Sequence, residues 1–326
     1  MAETADYDPG EWKKFDWTAA KSSYDATAGR SYATAASKGV SKKDLVLEKI
    51  SSKATRPLMI FSDVTGSMGR WPAIMFEKLP YLDHEIRQYL GEDAETSFCA
   101  VGDHISDKYP LQVNEFATGV QLAESLKKLV IEGNGGGQIM ESYLVGALYC
   151  LFNVELSPTQ NKPIVIFIGD ESNHPYVTRD QARDLGISFE EDRFSCQEIF
   201  SKLKEKFSPY IILKPYDSSS VSREVERHWL SLLGEDRIVK LDKPERVVDV
   251  IFGILAKESN KSDYFRKEIE DRQTKDQVDV VYRSLKTLHL PEKVEEYKSN
   301  PAGFTGKSVM LLSDKGKKAN RLMLKK

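Results

Sequence analysis

The stretch PLMIFSDVTGSMG, residues 57–69, joins an uninterrupted apolar run to a short polar turn that contains two glycines. An apolar run of this length, ended by polar residues, is typical of a strand buried in a sheet. The next segment, residues 71–90, carries apolar residues at helical spacing, and Pro80 predicts a kink within it. The stretch therefore predicts a strand, a loop and a helix in succession, which is the repeating unit of a parallel sheet.

The same alternation of apolar runs and amphipathic segments continues along the chain to residue 257. Five further runs predict strands at 96–103, 108–113, 163–170, 209–214 and 236–241. The segments between and after them predict helices at 119–130, 142–152, 190–206, 220–233 and 245–257. We therefore expect an α/β fold: a doubly wound, mostly parallel six-stranded sheet with helices on both faces and 56–62 as its central strand.

The two ends of the chain differ from this central domain, which we place at residues 56–257. Residues 1–55 are rich in Ala, Ser and Thr without a sustained period, so they predict an N-terminal arm that is poorly structured alone, or plain disorder. Residues 258–326 predict one long charged helix and then a basic tail, whose last part, 307–326, holds seven basic residues and one acidic residue.

Composition disfavours several classes of protein. The 326 residues carry 47 basic and 50 acidic side chains, a net charge of -3, which argues against nucleic acid as the main partner. Three cysteines without a CxxC pair argue against a disulfide scaffold or a zinc knuckle, and the five histidines include no HxxxH pair for zinc. His174 is expected to be an exposed loop residue, and the alternative is that it lines a binding face. The absence of an apolar leader or a long apolar span predicts a cytoplasmic protein that does not cross a membrane.

Oxygen-bearing side chains cluster in three of the predicted loops. They are Asp63, Thr65 and Ser67 after the first strand, Glu141 after a glycine-rich loop, and Asp170 after the strand 163–169. Ligands of doubly wound sheets bind beyond the carboxyl ends of the strands, and such oxygens suit hard dications. We expect Mg²⁺, Mn²⁺ or Ca²⁺ rather than Zn²⁺. The alternative is that Thr65, Ser67 and Asp170 only cap the helices that follow them.

The run DVTGSMG after an apolar strand resembles the D-x-[ST]-x-S element of von Willebrand factor A domains, the metal-ion-dependent adhesion site, and the resemblance covers residues 56–257. It implies that Thr65 and Ser67 bind the metal directly, whereas Asp63 and Asp170 act through water. The threonine that the family carries on its second loop is missing here. The stretch GGGQIMES is similar instead to the integrin β-chain variant, which makes Glu141 the second-loop ligand, with Ser142 as the fallback.

The resemblance implies a metal-dependent adaptor or scaffold, not an enzyme, that captures an Asp or Glu of a protein partner through the cation. It also implies a slide of the last helix, 245–257, on binding, and an association with AAA+ ATPases. A direct Glu141 ligand would add negative charge at the metal. We therefore expect tighter metal binding and a weaker pull on the partner's carboxylate than in the threonine form.

Two other functions remain open at this point. A Mg²⁺-dependent phosphohydrolase of the haloacid-dehalogenase type would use Asp63 as nucleophile, but Thr65 stands where that chemistry needs its acidic proton donor. A structural-assembly or nucleic-acid-associated role would act through the arm and the basic tail.

Overall fold

The computed structural model describes residues 39–69, 71–132, 140–157, 161–216 and 218–290. The arm up to residue 38, the glycine-rich loop 133–139 and the basic tail 307–326 lie outside the described residues. The described part of the predicted arm contains a 3₁₀ turn, Lys42–Leu45, and a short strand. Every helix in the described ranges is too short or too polar to span a lipid bilayer.

The secondary structure alternates between strands and helices, as the sequence predicts. The strands are β1 (Ile50–Ser52), β2 (Leu58–Asp63), β3 (Thr96–Val101), β4 (Leu111–Val113), β5 (Met140–Glu141), β6 (Val154–Leu156), β7 (Ile164–Gly169), β8 (Ser172–Asn173), β9 (Tyr176–Thr178), β10 (Arg193–Ser195), β11 (Ser208–Leu213) and β12 (Ile238–Lys240). The helices are α1 (Trp71–Lys78), α2 (Leu82–Leu90), α3 (Val120–Lys128), α4 (Tyr143–Asn153), α5 (Arg179–Arg183), α6 (Cys196–Lys206), α7 (Ser219–Leu233), α8 (Val247–Ser259), α9 (Ser262–Arg272) and α10 (Lys275–Ser284).

The central sheet has six strands in the order β12-β11-β7-β2-β3-β4, and every neighbouring pair is parallel except β3 and β4. The predicted fold class is therefore confirmed, with β2 as an inner strand. Its register places Ile60 opposite Phe98 on one side and Ile166 on the other. Three two-stranded pairs, β1 with β6, β5 with β8 and β9 with β10, lie outside this sheet, and the sequence did not predict them.

Apolar cores lie on both faces of the central sheet. Leu58 and Ile60 of β2 point into the core that contains α1, α2 and α8, whereas Met59 and Phe61 point into the core that contains α4, α6 and α7. A strand covered on both faces has no polar side, which is why β2 is a continuous apolar run rather than an alternating one.

Three predicted helices have different limits in the structure. The segment 71–90 divides into α1 and α2 at a 3₁₀ turn that contains Pro80. The predicted long helix after residue 261 is two helices, α9 and α10, because Thr274 begins a new helix and its amide N–H donates to Gln277 Oε1 at 2.8 Å. The helix expected from residue 190 begins only at Cys196, after the Ser195 cap. Apolar side chains of α9 and α10, among them Phe265 and Val281, are buried in the first of the two cores.

Candidate metal centre

The carboxyl ends of the parallel strands place polar residues along one rim of the sheet. Asp63 is the last residue of β2, Asp170 follows β7 directly, and Lys214 follows β11 directly. Because β2, β7 and β11 are neighbours in the sheet and run parallel, these three residues meet at the same edge.

Four of the five predicted ligands form one connected group. The Thr65 hydroxyl donates to Asp63 Oδ1 at 2.6 Å and lies 3.2 Å from Ser67 Oγ. Ser67 Oγ in turn donates to Asp170 Oδ1 at 2.9 Å. Asp63, Thr65 and Asp170 are buried, whereas Ser67 is exposed at the rim. The loop after β2 and the loop after β7 therefore bring their oxygen atoms together, as the sequence predicts.

The capping alternative does not describe these side chains. Thr65 precedes the 3₁₀ turn Gly66–Met68, but its side chain makes no capping hydrogen bond. Asp170 is followed by the strand β8 rather than by a helix. Thr65 contacts Asp63 and Ser67 of its own loop, and Ser67 contacts Asp170 of the other loop, so capping does not account for their placement.

Glu141, the fifth predicted ligand, is buried on the short strand β5, which pairs with β8. Its Oε2 atom has no hydrogen-bond partner among the described residues. Burial raises the pKa of Glu141 well above its usual range, and the nearby charges of Asp63 and Glu171 raise it further. Ser142, the fallback ligand, instead places its hydroxyl 2.6 Å from His104 Nδ1.

Three residues of the centre are not among the five predicted ligands. The Tyr143 hydroxyl donates to Asp63 Oδ2 at 2.6 Å. Lys214 Nζ donates to Asp170 Oδ2 at 2.6 Å and to the Ser67 carbonyl at 2.7 Å. Glu171 is buried, and its Oε1 accepts a hydrogen bond from a tyrosine hydroxyl at 2.6 Å. The sequence did contain a signal for Lys214. The predicted strand 209–214 ends at this residue, and residues at the carboxyl ends of the parallel strands lie on the rim.

Burial dominates the electrostatics of the centre. It raises the pKa of Asp63 to about 7, and the charge of Asp170 adds to the rise, while hydrogen bonds from Thr65 and Tyr143 oppose it. Burial likewise raises the pKa of Glu171 to about 7. Asp63 and Glu171 therefore hold their protons more readily than exposed carboxyl groups do, because burial disfavours the charged form.

A divalent cation fits this set of residues. The donors are carboxylate and hydroxyl oxygens, the ligand type that Mg²⁺, Mn²⁺ and Ca²⁺ take in proteins. Four carboxyl groups, those of Asp63, Glu141, Asp170 and Glu171, are buried at this rim, and Lys214 contacts Asp170 among them, at 2.6 Å. The Oε2 atoms of Glu141 and Glu171 are buried without a hydrogen-bond partner among the described residues. A buried carboxyl oxygen without a hydrogen-bond donor is stabilised by a bound cation or by a proton.

His174 differs from its predicted position. The sequence predicts an exposed loop histidine, but the side chain is buried, and its Nε2 lies 2.7 Å from Asp103 Oδ1. The pairing of β5 with β8 explains the burial, because the amide N–H of His174 donates to the Glu141 carbonyl at 3.2 Å and holds the residue at the rim.

Comparisons with known proteins show similarity to solved structures alone. No protein-family model matches the chain, and no curated protein matches it. The chain is similar to the pilus adhesin SpaC from Lactobacillus rhamnosus GG in its open conformation, at 10% identity and a TM-score of 0.47, over 65% of this chain and 31% of that chain. It is also similar to proximal thread matrix protein 1 from the mussel byssus, at 11% identity and a TM-score of 0.43, over 64% and 48% of the two chains. A form of that mussel protein with a zinc-occupied MIDAS motif matches at 12% identity and a TM-score of 0.42, over 64% and 48%. The chain thus matches less than half the length of each of these structures.

Proposed function

We propose that this chain is a protein-binding module that depends on a divalent cation. Thr65, Ser67 and Glu141 would hold the ion, Asp63 and Asp170 would support it, and an Asp or Glu side chain of a partner would complete its coordination. The observation that carries the proposal is the convergence of Asp63, Thr65, Ser67 and Asp170 in one chain of contacts, together with a buried Glu141 oxygen that has no hydrogen-bond partner in the described part of the chain.

The bound ion would attract a partner's carboxylate, since two of its protein ligands, the hydroxyls of Thr65 and Ser67, are neutral. Ser67 is the exposed member of the group, so its side of the centre is the side that a partner can reach. Lys214 holds Asp170 from the same side through its 2.6 Å contact. The lysine thereby supplies one positive charge to the carboxylates of the centre and competes with a cation for Asp170.

A cavity of about 240 Å³ opens beside Asp170 and supports a role in binding. Its wall is largely apolar, with Leu213, Pro215, Tyr216 and Val225 among the lining residues. An apolar recess next to an anionic rim suits a peptide in which an acidic residue has an apolar neighbour.

We propose binding rather than catalysis for this centre. A phosphohydrolase that used Asp63 as nucleophile would need a proton donor two residues later, and Thr65 stands there. The Thr65 hydroxyl is already engaged with Asp63 Oδ1 at 2.6 Å. An alcohol is also a far weaker acid than a carboxyl group, so it does not replace the missing general acid.

Metal titration tests the first half of the proposal. Mg²⁺, Mn²⁺ and Ca²⁺ are titrated by calorimetry into the full chain and into Ser67→Ala, with Ser231→Ala as control, because the Ser231 hydroxyl donates to the His228 carbonyl of its own helix. We expect Ser67→Ala to weaken binding by about tenfold or more, and Ser231→Ala to leave it unchanged. Equal affinity of the wild type and Ser67→Ala, or no uptake by the wild type, contradicts the proposal.

Peptide binding tests the second half. A set of peptides with a central Asp or Glu is compared with the matched Asn and Gln peptides, in Mg²⁺ and in EDTA. We expect binding that needs both the carboxylate and the metal and that Ser67→Ala loses. Peptides that bind equally well as Asn or Gln forms, or in EDTA, would show that the centre does not capture a carboxylate through a cation.

A further inference from the structure

A second group of metal-binding side chains lies beside the candidate centre but shares none of its five predicted ligands. Asp103 and His104 follow β3, and His174 follows β8. One nitrogen of each histidine ring and one carboxylate oxygen of Asp103 all lie within 4.8 Å of one another. The two rings meet edge to face with their centroids 4.9 Å apart. Two imidazoles and a carboxylate from two loops thus converge on one small volume.

Neighbouring groups hold these three side chains in place. Asp103 accepts hydrogen bonds from the amide N–H of Ile105 at 3.0 Å and from the Ser106 hydroxyl at 2.9 Å. Ser142 Oγ lies 2.6 Å from His104 Nδ1 and 3.4 Å from Asp103 Oδ1. Metal ligands in proteins are oriented by such outer hydrogen bonds, which restrict the rotation of the ligating side chains.

In the described residues, hydrogen bonds rather than lysine or arginine side chains surround the Asp103 carboxylate. Within the described ranges, neither Asp103 nor Glu141 forms an ion pair with a lysine or an arginine, and Asp103 Oδ1 lies 2.7 Å from His174 Nε2. Glu141 Oε2 is buried beside the group without a hydrogen-bond partner among these residues. The hydrogen bond between Asp103 and His174 and the contact between Ser142 and His104 involve one nitrogen of each ring, and neither of them reaches Glu141 Oε2.

We propose that Asp103, His104 and His174 form a second metal site, which takes a transition-metal ion of the Zn²⁺ class. Imidazole nitrogen combined with a carboxylate suits Zn²⁺ and its transition-metal neighbours, whereas Mg²⁺ and Ca²⁺ prefer oxygen ligands alone. A set of three protein ligands also leaves one position of a tetrahedral zinc ion open for water or another ligand. The two centres would therefore select different metals, and the second does not depend on the function proposed for the first.

Metal binding by the full chain tests this assignment with the metals alone as probes. Protein stripped with a chelator is titrated with Zn²⁺ by calorimetry and with Co²⁺ by visible absorption. His104→Gln is the main variant, because His104 is only half-buried and glutamine can keep the contact with Ser142. His174→Gln is the second variant, and His289→Asn is the control for an exposed histidine with a left-handed backbone.

We expect His104→Gln and His174→Gln to weaken Zn²⁺ binding by more than about tenfold, while His289→Asn has no effect. Ser67→Ala should lower Mg²⁺ affinity and leave Zn²⁺ affinity unchanged, which separates this site from the first. Circular dichroism and thermal melts establish that each variant folds. Absence of Zn²⁺ uptake, or unchanged uptake by folded His104→Gln, overturns the proposal and leaves the group as a hydrogen-bonded cluster.

Discussion

The substitution Asp63→Asn should stabilise the metal-free protein and remove its response to Mg²⁺. Asparagine keeps the shape of the side chain: its oxygen can accept from Thr65 as Asp63 Oδ1 does, and its amide can donate to the Tyr143 hydroxyl. What changes is the charge. In the metal-free protein, ionised Asp63 is buried beside Asp170 and is therefore costly to the folded state.

The size of the effect follows from the pKa of Asp63. Burial and the charge of Asp170 raise it from the usual 3.8 to about 7. At about 1.4 kcal/mol per pH unit, this rise corresponds to about 4 kcal/mol of lost stability once the group is ionised. A raised acidic pKa means that the folded state binds the proton more tightly than the unfolded state. Stability is therefore lost as the pH rises from about 4 to about 7, and the full cost is present above 7.

Urea denaturation in EDTA and in excess Mg²⁺, at pH 5 and at pH 8, measures these effects. In EDTA we expect the free energy of unfolding of Asp63→Asn to exceed that of the wild type by up to about 4 kcal/mol at pH 8 and by clearly less at pH 5. Mg²⁺ at about 100 times its dissociation constant should stabilise the wild type by about 2.7 kcal/mol and the variant by far less. A wild type as stable as Asp63→Asn in EDTA at pH 8, or equal stabilisation of both by Mg²⁺, would refute this reasoning.

Three further substitutions test the rim and the core beneath it. Lys214→Met should raise Mg²⁺ affinity by about tenfold or more in calorimetry, because the ammonium group 2.6 Å from Asp170 Oδ2 no longer competes with the ion. Gly169→Ala should lower the free energy of unfolding by about 3 kcal/mol in urea, because a Cβ there would overlap the Tyr143 hydroxyl. Asp249→Ala should lower it by about 3–5 kcal/mol, because it removes the carboxylate beside a buried arginine at 3.4 Å.

Matched variants separate these mechanisms from general damage. Lys240→Met removes an exposed lysine that pairs with Glu226, so it should leave Mg²⁺ affinity unchanged. Asp263→Ala removes an exposed carboxylate that lies three residues from its arginine in the sequence, as Asp249 does. It should lower the free energy of unfolding by less than about 1 kcal/mol. An effect of Lys240→Met as large as that of Lys214→Met would contradict the proposed competition. Equal losses of unfolding free energy in Asp249→Ala and Asp263→Ala would contradict the role of burial.

The central sheet and the residues of the candidate centre that follow β2 and β7 could be predicted from the sequence, because both depend on local patterns. Apolar runs such as 163–170 identify buried strands, and residues directly after them, such as Asp63 and Asp170, must then lie on the same rim. The capping pattern at Thr274 and Gln277 was also present in the sequence, and it marks the break between α9 and α10 that periodicity alone passed over.

Contacts between distant segments could not be predicted in this way. His174 is buried because β8 pairs with β5 across more than thirty residues of chain, and no local pattern encodes that pairing. Lys214 acts on the centre only because β11 lies next to β7 in the sheet. Both features require the strand order, which alternation along the chain restricts but does not determine.

The packing around α8 limits how the rim can respond to a partner. From Val247 to Ala256 the helix is buried, Gly253 leaves no room for a side chain against Leu285, and Arg246 donates to Gln273 Oε1 at 2.8 Å. A piston-like displacement of α8 would have to break these contacts together. The slide of this helix that the resemblance implies would therefore shift the packing at Leu285 and Gln273 as well, so that a change at the rim would reach the helices that follow α8.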